Sequence, residues 1–555
     1  MGTPLDQGIV SGDTTTFAPD LLYVNGRFER GRALVCDGGG RVVAVTHLDD
    51  FAGRDEAVRR EAAAGAVVMC GHVVRLRNRA LLPGMVNAHS HAFQRVLRGR
   101  TEYRGAHARD SFWTWREMMY AASARLTPED IYDASRMAFL EMILSGITSV
   151  GEFHYLHRTP AGAEYDDPNL LAKEVVRAAR DTGLRIALLR AAYARAGFRT
   201  FPDERQRRFI EPDAETYLRN TESLARDLAR DAATGDGRVK GVGVEGRAEE
   251  KDVDARAGED GLDVHAGKLP QHAWVGVAPH SVRAVPLGYL REVSAFAGAR
   301  GLPLHMHVAE QPAEVSACVE ETGRTPVALL AEEGVLGPRF TGVHAIHVTP
   351  EEVRALAEAR ACVCACPTTE RNLGDGVAPA AALLGAGVHV ALGTDSQAQI
   401  DLLEDARELE YHLRLTSLRR NVLAPASADA RSVESPDGGS HDAARVESDG
   451  PGVSALAARL FECASRAGAR SIGAPAGEFT HGSAADFFTV DLDDPSIAGA
   501  SGDDLLPAVV FSLSRAAVRE VSVGGQLVVE GGRHAAQDEI VSRFSALQRK
   551  LWSEV

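Results

Sequence analysis

Between residues 81 and 393 the chain repeats one alternation: a short, largely apolar run, then a longer stretch with helical periodicity. The short runs fall at residues 81–86, 148–153, 186–190, 274–278, 303–308, 342–344, 361–366 and 388–393. Helical patterns at 128–144, 168–182, 287–300, 311–322, 350–359 and 377–386 separate most of them. Runs of this kind read as strands buried on both faces, the condition of a parallel sheet covered by helices. Eight such strands with intervening helices are the count that closes a (β/α)8 TIM-type barrel. The expected fold class is therefore α/β.

The two ends of the chain have a different character. Residues 20–47 read as short strands, with Asn25-Gly26 a hairpin turn between apolar runs. Residues 487–491, 521–523 and 527–529 look alike. The ends are expected to pair into one small β-sandwich domain, with the barrel inserted between them. That divides the chain into 1–80, the first part of the β domain; 81–482, the barrel; and 483–555, the second part of the β domain with a terminal helix. At 555 residues the chain suits one large barrel and a satellite. Residues 54–79 are Ala/Arg-rich and read as an insertion without a clear place. Residues 247–272 and 424–451 are rich in Asp, Glu, Gly and Ser and read as acidic surface loops.

A formal net charge of −16 argues against nucleic acid or an anionic membrane as the main partner, though not against an acidic small substrate. No run of 18 apolar residues and no signal-like start is present, and seven cysteines, an odd number, suit a reducing cytoplasm. Cys362, Cys364 and Cys366 alternate more tightly than zinc ligands do and read as small core residues. Gly38-Gly39-Gly40 has no helix after it, so it is no phosphate loop.

The chemistry lies where the strand runs end, the face on which barrel enzymes keep their active sites. His89-Ser90-His91 closes the first run, and residues two apart on a strand point the same way. His307 closes the fifth, with Glu310 three residues on; His344 closes the sixth; Asp395 follows the eighth. Three His and one Asp make a nitrogen-rich set that suits zinc and leaves room for water. Five such residues on four strand ends in order argue against coincidence. His305 shares a face with His307 but lies deeper and reads as packing. His347 is a weaker candidate, and His157, His265, His272, His412 and His534 read as structural.

These residues resemble the deaminase branch of the amidohydrolase superfamily. Its pattern is His-x-His on the first strand, His on the fifth and sixth, and Asp on the eighth. Members with two metals usually add a carboxylated Lys on the fourth strand. Here that strand ends Ala278-Pro279-His280-Ser281-Val282-Arg283, which favours one metal. Within the branch, the segments from Asn87 to Arg95, Asp110 to Glu117, Glu152 to Tyr155, Ala278 to Arg283, His305 to Gln311 and Glu370 to Gly376 resemble the formimidoylglutamate deiminases. Phe112-Trp113-Thr114-Trp115-Arg116 is the most specific. The departures are the two acidic insertions and Gln397, where members often carry His.

The resemblance implies hydrolysis of N-formimidoyl-L-glutamate to N-formyl-L-glutamate and ammonia, a step of histidine breakdown. It implies one divalent metal, zinc first and ferrous iron second, on His89, His91, His307 and Asp395. Asp395 would take the water proton and Glu310 would shuttle protons to the substrate nitrogens. His344 would orient or stabilise the oxygen at the reacting carbon, with a ligand role left open. A small dicarboxylate amidine needs donors, for which Arg116 and Arg283 come first and Gln94, Tyr155 and His280 follow. Arg95 is a further candidate, and Trp113 and Trp115 either wall the site or merely pack. A homodimer is expected from relatives. The alternatives are a deaminase of a purine, pyrimidine or pterin-like ring and, remotely, a non-catalytic barrel used for binding.

Overall fold

The computed structural model describes residues 14–48, 71–103, 111–201, 203–234, 272–425 and 454–553. The acidic stretches expected at 247–272 and 424–451 lie, but for their margins, outside the described residues.

The first five strands are β1 (Thr14–Val24), β2 (Arg27–Arg30), β3 (Arg32–Asp37), β4 (Val42–His47) and β5 (Gly71–Pro83). The last four are β14 (Phe487–Asp491), β15 (Val518–Val523), β16 (Gln526–Glu530) and β17 (Arg533–His534). Together they form one nine-stranded sheet, ordered β17-β16-β15-β14-β5-β1-β3-β4 with β2 paired to β1. The two ends of the chain meet at the antiparallel pair β5 and β14, where Leu81 faces Thr489. Asn25 and Gly26 turn β1 into β2 with φ of 52° and 85°, the left-handed pair whose twist suits a hairpin. Phe17, Leu34, Leu81 and Phe487 lie in this sheet's own apolar core, with Phe17 and Phe487 edge-on at 4.7 Å.

Residues 71–79 of the Ala/Arg-rich stretch belong to β5. Arg75, Arg77 and Arg79 on alternate positions hide a strand whose other residues, Leu76 and Ala80, are buried. The apolar run 81–86 also divides. β5 ends at Pro83, and β6 (Met85–Ser90) begins in the other sheet. Gly84 makes the crossing because a Cβ there would stand 2.2 Å from the Thr148 hydroxyl.

The second sheet is the barrel. Its strands are β6, β7 (Ile147–His154), β8 (Arg185–Ala192), β9 (Ala273–Pro279), β10 (Leu304–Val308), β11 (Phe340–His344), β12 (Cys362–Ala365) and β13 (His389–Leu392). Each is parallel to the next, in chain order. Ser90 and Asp395 close the ring: Asp395 N–H donates to the His89 carbonyl and His91 N–H to the Asp395 carbonyl, both at 3.0 Å. The helices between strands start and stop on local signals. Thr127 and Asp130 form a capping box before Pro128–Leu144, and Gly183, at φ 77°, ends Leu170–Thr182. The C-terminal helix Gln537–Trp552 returns to Pro128–Leu144 through Arg136–Glu539, Arg543–Asp133 and Lys550–Asp130. Cys362, Cys364 and Cys366 are buried and free, packed with Ala88, Val343 and Ala391. No described helix is long and apolar enough to cross a membrane.

Candidate metal centre and substrate cavity

Strand periodicity turns His89 and His91 to the same side of β6, and their Nε2 atoms lie 3.2 Å apart. His307, on β10, brings its Nε2 to 3.3 Å from that of His91. Asp395 follows β13 in a left-handed conformation, φ 41°, which aims Oδ1 to 3.3 Å from both His89 Nε2 and His91 Nε2. Non-glycine residues held there cost about 1–3 kcal/mol, a strain that accumulates at functional sites. Ligand atoms of these four buried residues all lie within 4.8 Å of one another.

The donor set fits a divalent metal. The Phe153 carbonyl accepts from His91 Nδ1 at 2.8 Å, and the His280 carbonyl from His307 Nδ1 at 3.2 Å. Both rings therefore carry their proton on Nδ1 and turn a bare Nε2 inward, as metal-binding imidazoles do. Burial lowers the pKa of each ring, that of His89 to about 3, so the nitrogens stay neutral and available. Three imidazole nitrogens and one carboxylate oxygen are a zinc-type set.

His344 ends β11 outside this group. Its Nε2 is 3.9 Å from Asp395 Oδ2 and 3.8 Å from Glu310 Oε1, and its Nδ1 is 3.3 Å from Glu370 Oε1. Burial works against its charge, but Glu310, Glu370 and Asp395 outweigh burial and raise its pKa well above the ordinary value. Glu310 is pushed up to about 7, first by burial. The two groups face each other at 3.8 Å beside the candidate metal donors.

A cavity opens onto this cluster, and all five residues named as substrate contacts line it: Gln94, Arg116, Tyr155, His280 and Arg283. Gln94 donates to the Tyr155 hydroxyl at 2.6 Å, leaving its own oxygen without a partner. Among the described residues neither Arg116 nor Arg283 pairs with a carboxylate, and the buried Nε of each is unpartnered. Arg116 instead lies over the Trp113 ring at 4.6 Å. Trp115 lines the cavity, whereas Trp113 is partly exposed. Arg95 does not reach the cavity; its guanidinium pairs with Glu141 at 2.5 Å. Gln397 does not reach it either and hydrogen-bonds Ser90. His305 and His347 bond to the Ser471 and Asp375 carbonyls, in packing roles. Sequence reasoning missed Tyr120, Tyr193 and Phe209 in the cavity wall. Tyr193 directly follows β8, so the strand-end rule that found the histidines would have found it too.

Fold and site together define a barrel hydrolase of the metal-dependent kind. The amidohydrolase family profile matches residues 80–528, and the chain belongs to that family and is a hydrolase acting on C–N bonds. It is 36% identical over 466 residues to the formimidoylglutamate deiminase of Pseudomonas aeruginosa, covering 84% of this chain and 88% of the relative. It is also 29% identical over 377 residues to the 8-oxoguanine deaminase of that organism, covering 64% and 72% of the two chains. Among solved structures, an amidohydrolase from Brucella melitensis superposes with a TM-score of 0.75 at 30% identity, covering 97% of this chain and 99% of that one.

Proposed function

We propose that the protein hydrolyses N-formimidoyl-L-glutamate to N-formyl-L-glutamate and ammonia, with one zinc ion per chain. The observation that carries this reading is the pair of guanidiniums, Arg116 and Arg283, without a carboxylate partner among the described residues, in the cavity that the metal donors share. Both residues are half-buried with a buried Nε, and such cations are costly to leave unpaired, whereas a guanidinium fork matches a carboxylate. The 36% identity to a formimidoylglutamate deiminase supports the same substrate.

His89, His91, His307 and Asp395 would hold a divalent metal, which would supply the Lewis acidity that brings a water molecule's pKa towards neutrality. Asp395, with Oδ2 3.9 Å from His344 Nε2, would accept a proton from the attacking water. Glu310 Oε1 delivers a proton to the departing nitrogen, and its raised pKa keeps it able both to hold and to release one near neutral pH. His344 Nε2 has no hydrogen-bond partner and is buried, so it is available to orient the attacking oxygen and to stabilise charge as the formimino carbon becomes tetrahedral. Arg116, Arg283, Gln94, Tyr155 and His280 hold the glutamate portion. Water adds across the C=N bond, the C–N bond to the terminal nitrogen breaks, and ammonia leaves.

The aromatic lining, Trp115, Tyr155 and Phe209, favours a second reading, a deaminase of an aminated ring. Ammonia release from N-formimidoyl-L-glutamate, with metal content measured on the same sample, tests the first reading against it. Release with N-formyl-L-glutamate as product supports the linear amidine; release only from a purine, pyrimidine or pterin overturns it.

A further inference from the structure

Two side chains of the cavity wall, Tyr120 and Tyr193, have no role in the chemistry above. Tyr120 lies one helical turn after Arg116 on the helix Phe112–Ser123, so both face the same way. Tyr193 follows β8, and its ring stands edge-on to His280 at 4.7 Å. Gln206, buried in the segment after β8, joins them: its Nε2 donates to the Tyr120 hydroxyl at 2.8 Å and to the Tyr193 hydroxyl at 2.9 Å.

Counting hydrogens fixes what these phenols offer. The Gln206 amide spends one hydrogen on each phenol oxygen, so both oxygens act as acceptors towards the protein and each keeps its own O–H. Both hydroxyls bond the same amide nitrogen, so they stand side by side in the wall. Neither O–H donates to another group among the described residues. Burial raises the Tyr193 pKa, so the group remains a neutral donor. With Arg116 and Arg283 beside them, this part of the wall presents mainly donors, an arrangement that suits an anionic oxygen better than an amine or an apolar end.

We propose that Tyr120 and Tyr193, set by Gln206, complete with Arg116 and Arg283 a second carboxylate subsite, and that this group makes the protein select a dicarboxylate over a monocarboxylate. The inference rests on the dicarboxylate reading of the cavity and adds the residues that enforce it. The arginines supply charge; the phenols supply the geometric requirement for a second carboxylate.

The test is calorimetric binding of glutarate and butyrate to the metal-loaded protein, in the wild type and in Tyr120→Phe/Tyr193→Phe. The wild type is expected to bind glutarate at least about ten-fold more tightly than butyrate, and the double variant to bring that ratio close to one. Tyr193→Phe alone, which keeps the ring and its packing, is expected to lower the ratio about three-fold or more. In turnover, the variants should raise KM for N-formimidoyl-L-glutamate with kcat largely kept, the mark of lost uniform binding. An unchanged ratio in the variants, or no glutarate preference in the wild type, overturns the subsite. A glutarate preference that the variants abolish, in a protein that releases no ammonia from N-formimidoyl-L-glutamate, sinks the substrate reading and leaves the subsite standing.

Discussion

The Gln397 carboxamide donates to the Ser90 hydroxyl at 2.8 Å and to the Asp395 carbonyl at 2.9 Å, so one buried side chain ties the first barrel strand to the segment after the last. Ser90 stands between His89 and His91 and passes its own hydrogen to Glu152 at 2.6 Å. The Gln397 oxygen accepts from Thr394 at 2.9 Å, and Thr394 accepts from Asn87 at 2.7 Å. The barrel's seam and the metal donors are thus held by the same circuit.

Gln397→Ala should therefore act on the metal without touching the cavity. Loss of these buried hydrogen bonds is expected to lower stability by about 2 kcal/mol. Metal affinity should fall roughly 10- to 100-fold, the usual effect of removing a group that orients ligands. Chelator competition reads the affinity and urea unfolding the stability. Unchanged metal retention would remove Gln397 from the site's support.

Glu310 and His344 face each other at 3.8 Å. If Glu310 carries the proton to the leaving nitrogen, Glu310→Gln should cut kcat by about 10²-fold or more while metal content and KM change little. Steady-state ammonia release with metal analysis checks this, and an undiminished rate removes the assignment.

Arg283→Met keeps length and packing but loses the fork. A charge-assisted hydrogen bond is worth about 1.5–3 kcal/mol, so kcat/KM for N-formimidoyl-L-glutamate should drop by about 10- to 150-fold. Arg116→Met should behave alike. A ring deaminase would show little loss, so competition between N-formimidoyl-L-glutamate and guanine-like rings in these variants also separates the two readings.

What the sequence disclosed and what it hid follow one physical division. His89, His91, His307, His344 and Asp395 were legible because barrel topology sends strand ends to one face and a period of two decides which side chains share it. Arg116 was legible only through resemblance, whereas Arg283 was legible also from its place just past the end of the fourth strand. Gln206 was hidden, since it ends a single 3-10 turn after β8, too short for periodicity to say which way a side chain points. Arg95 misled for the same reason: its place near His91 says nothing of the turn that carries it to Glu141. β5 was half hidden, because its exposed arginines mask the buried Leu76 and Ala80.

Glu141 gives a pH test away from the reacting groups. It is mostly buried and pairs with Arg95 at 2.5 Å and Arg98 at 2.7 Å, while Arg98 also donates to the Gln397 carbonyl at 2.8 Å. Burial alone would raise its pKa, but the two guanidiniums outweigh burial and hold it below the usual 4.5. A carboxyl depressed on folding stabilises the folded state above its unfolded pKa and loses that contribution as pH falls through the folded value. Glu141→Gln should therefore cost about 2 kcal/mol at neutral pH, less than a fully buried pair because both arginines keep some solvent contact. The difference from wild type should hold down to about pH 5 and then shrink as the wild-type carboxyl takes up a proton. Urea unfolding of both proteins from pH 7 to pH 3 measures it. A difference that stays constant across that range would mean that Glu141 acts through packing rather than charge.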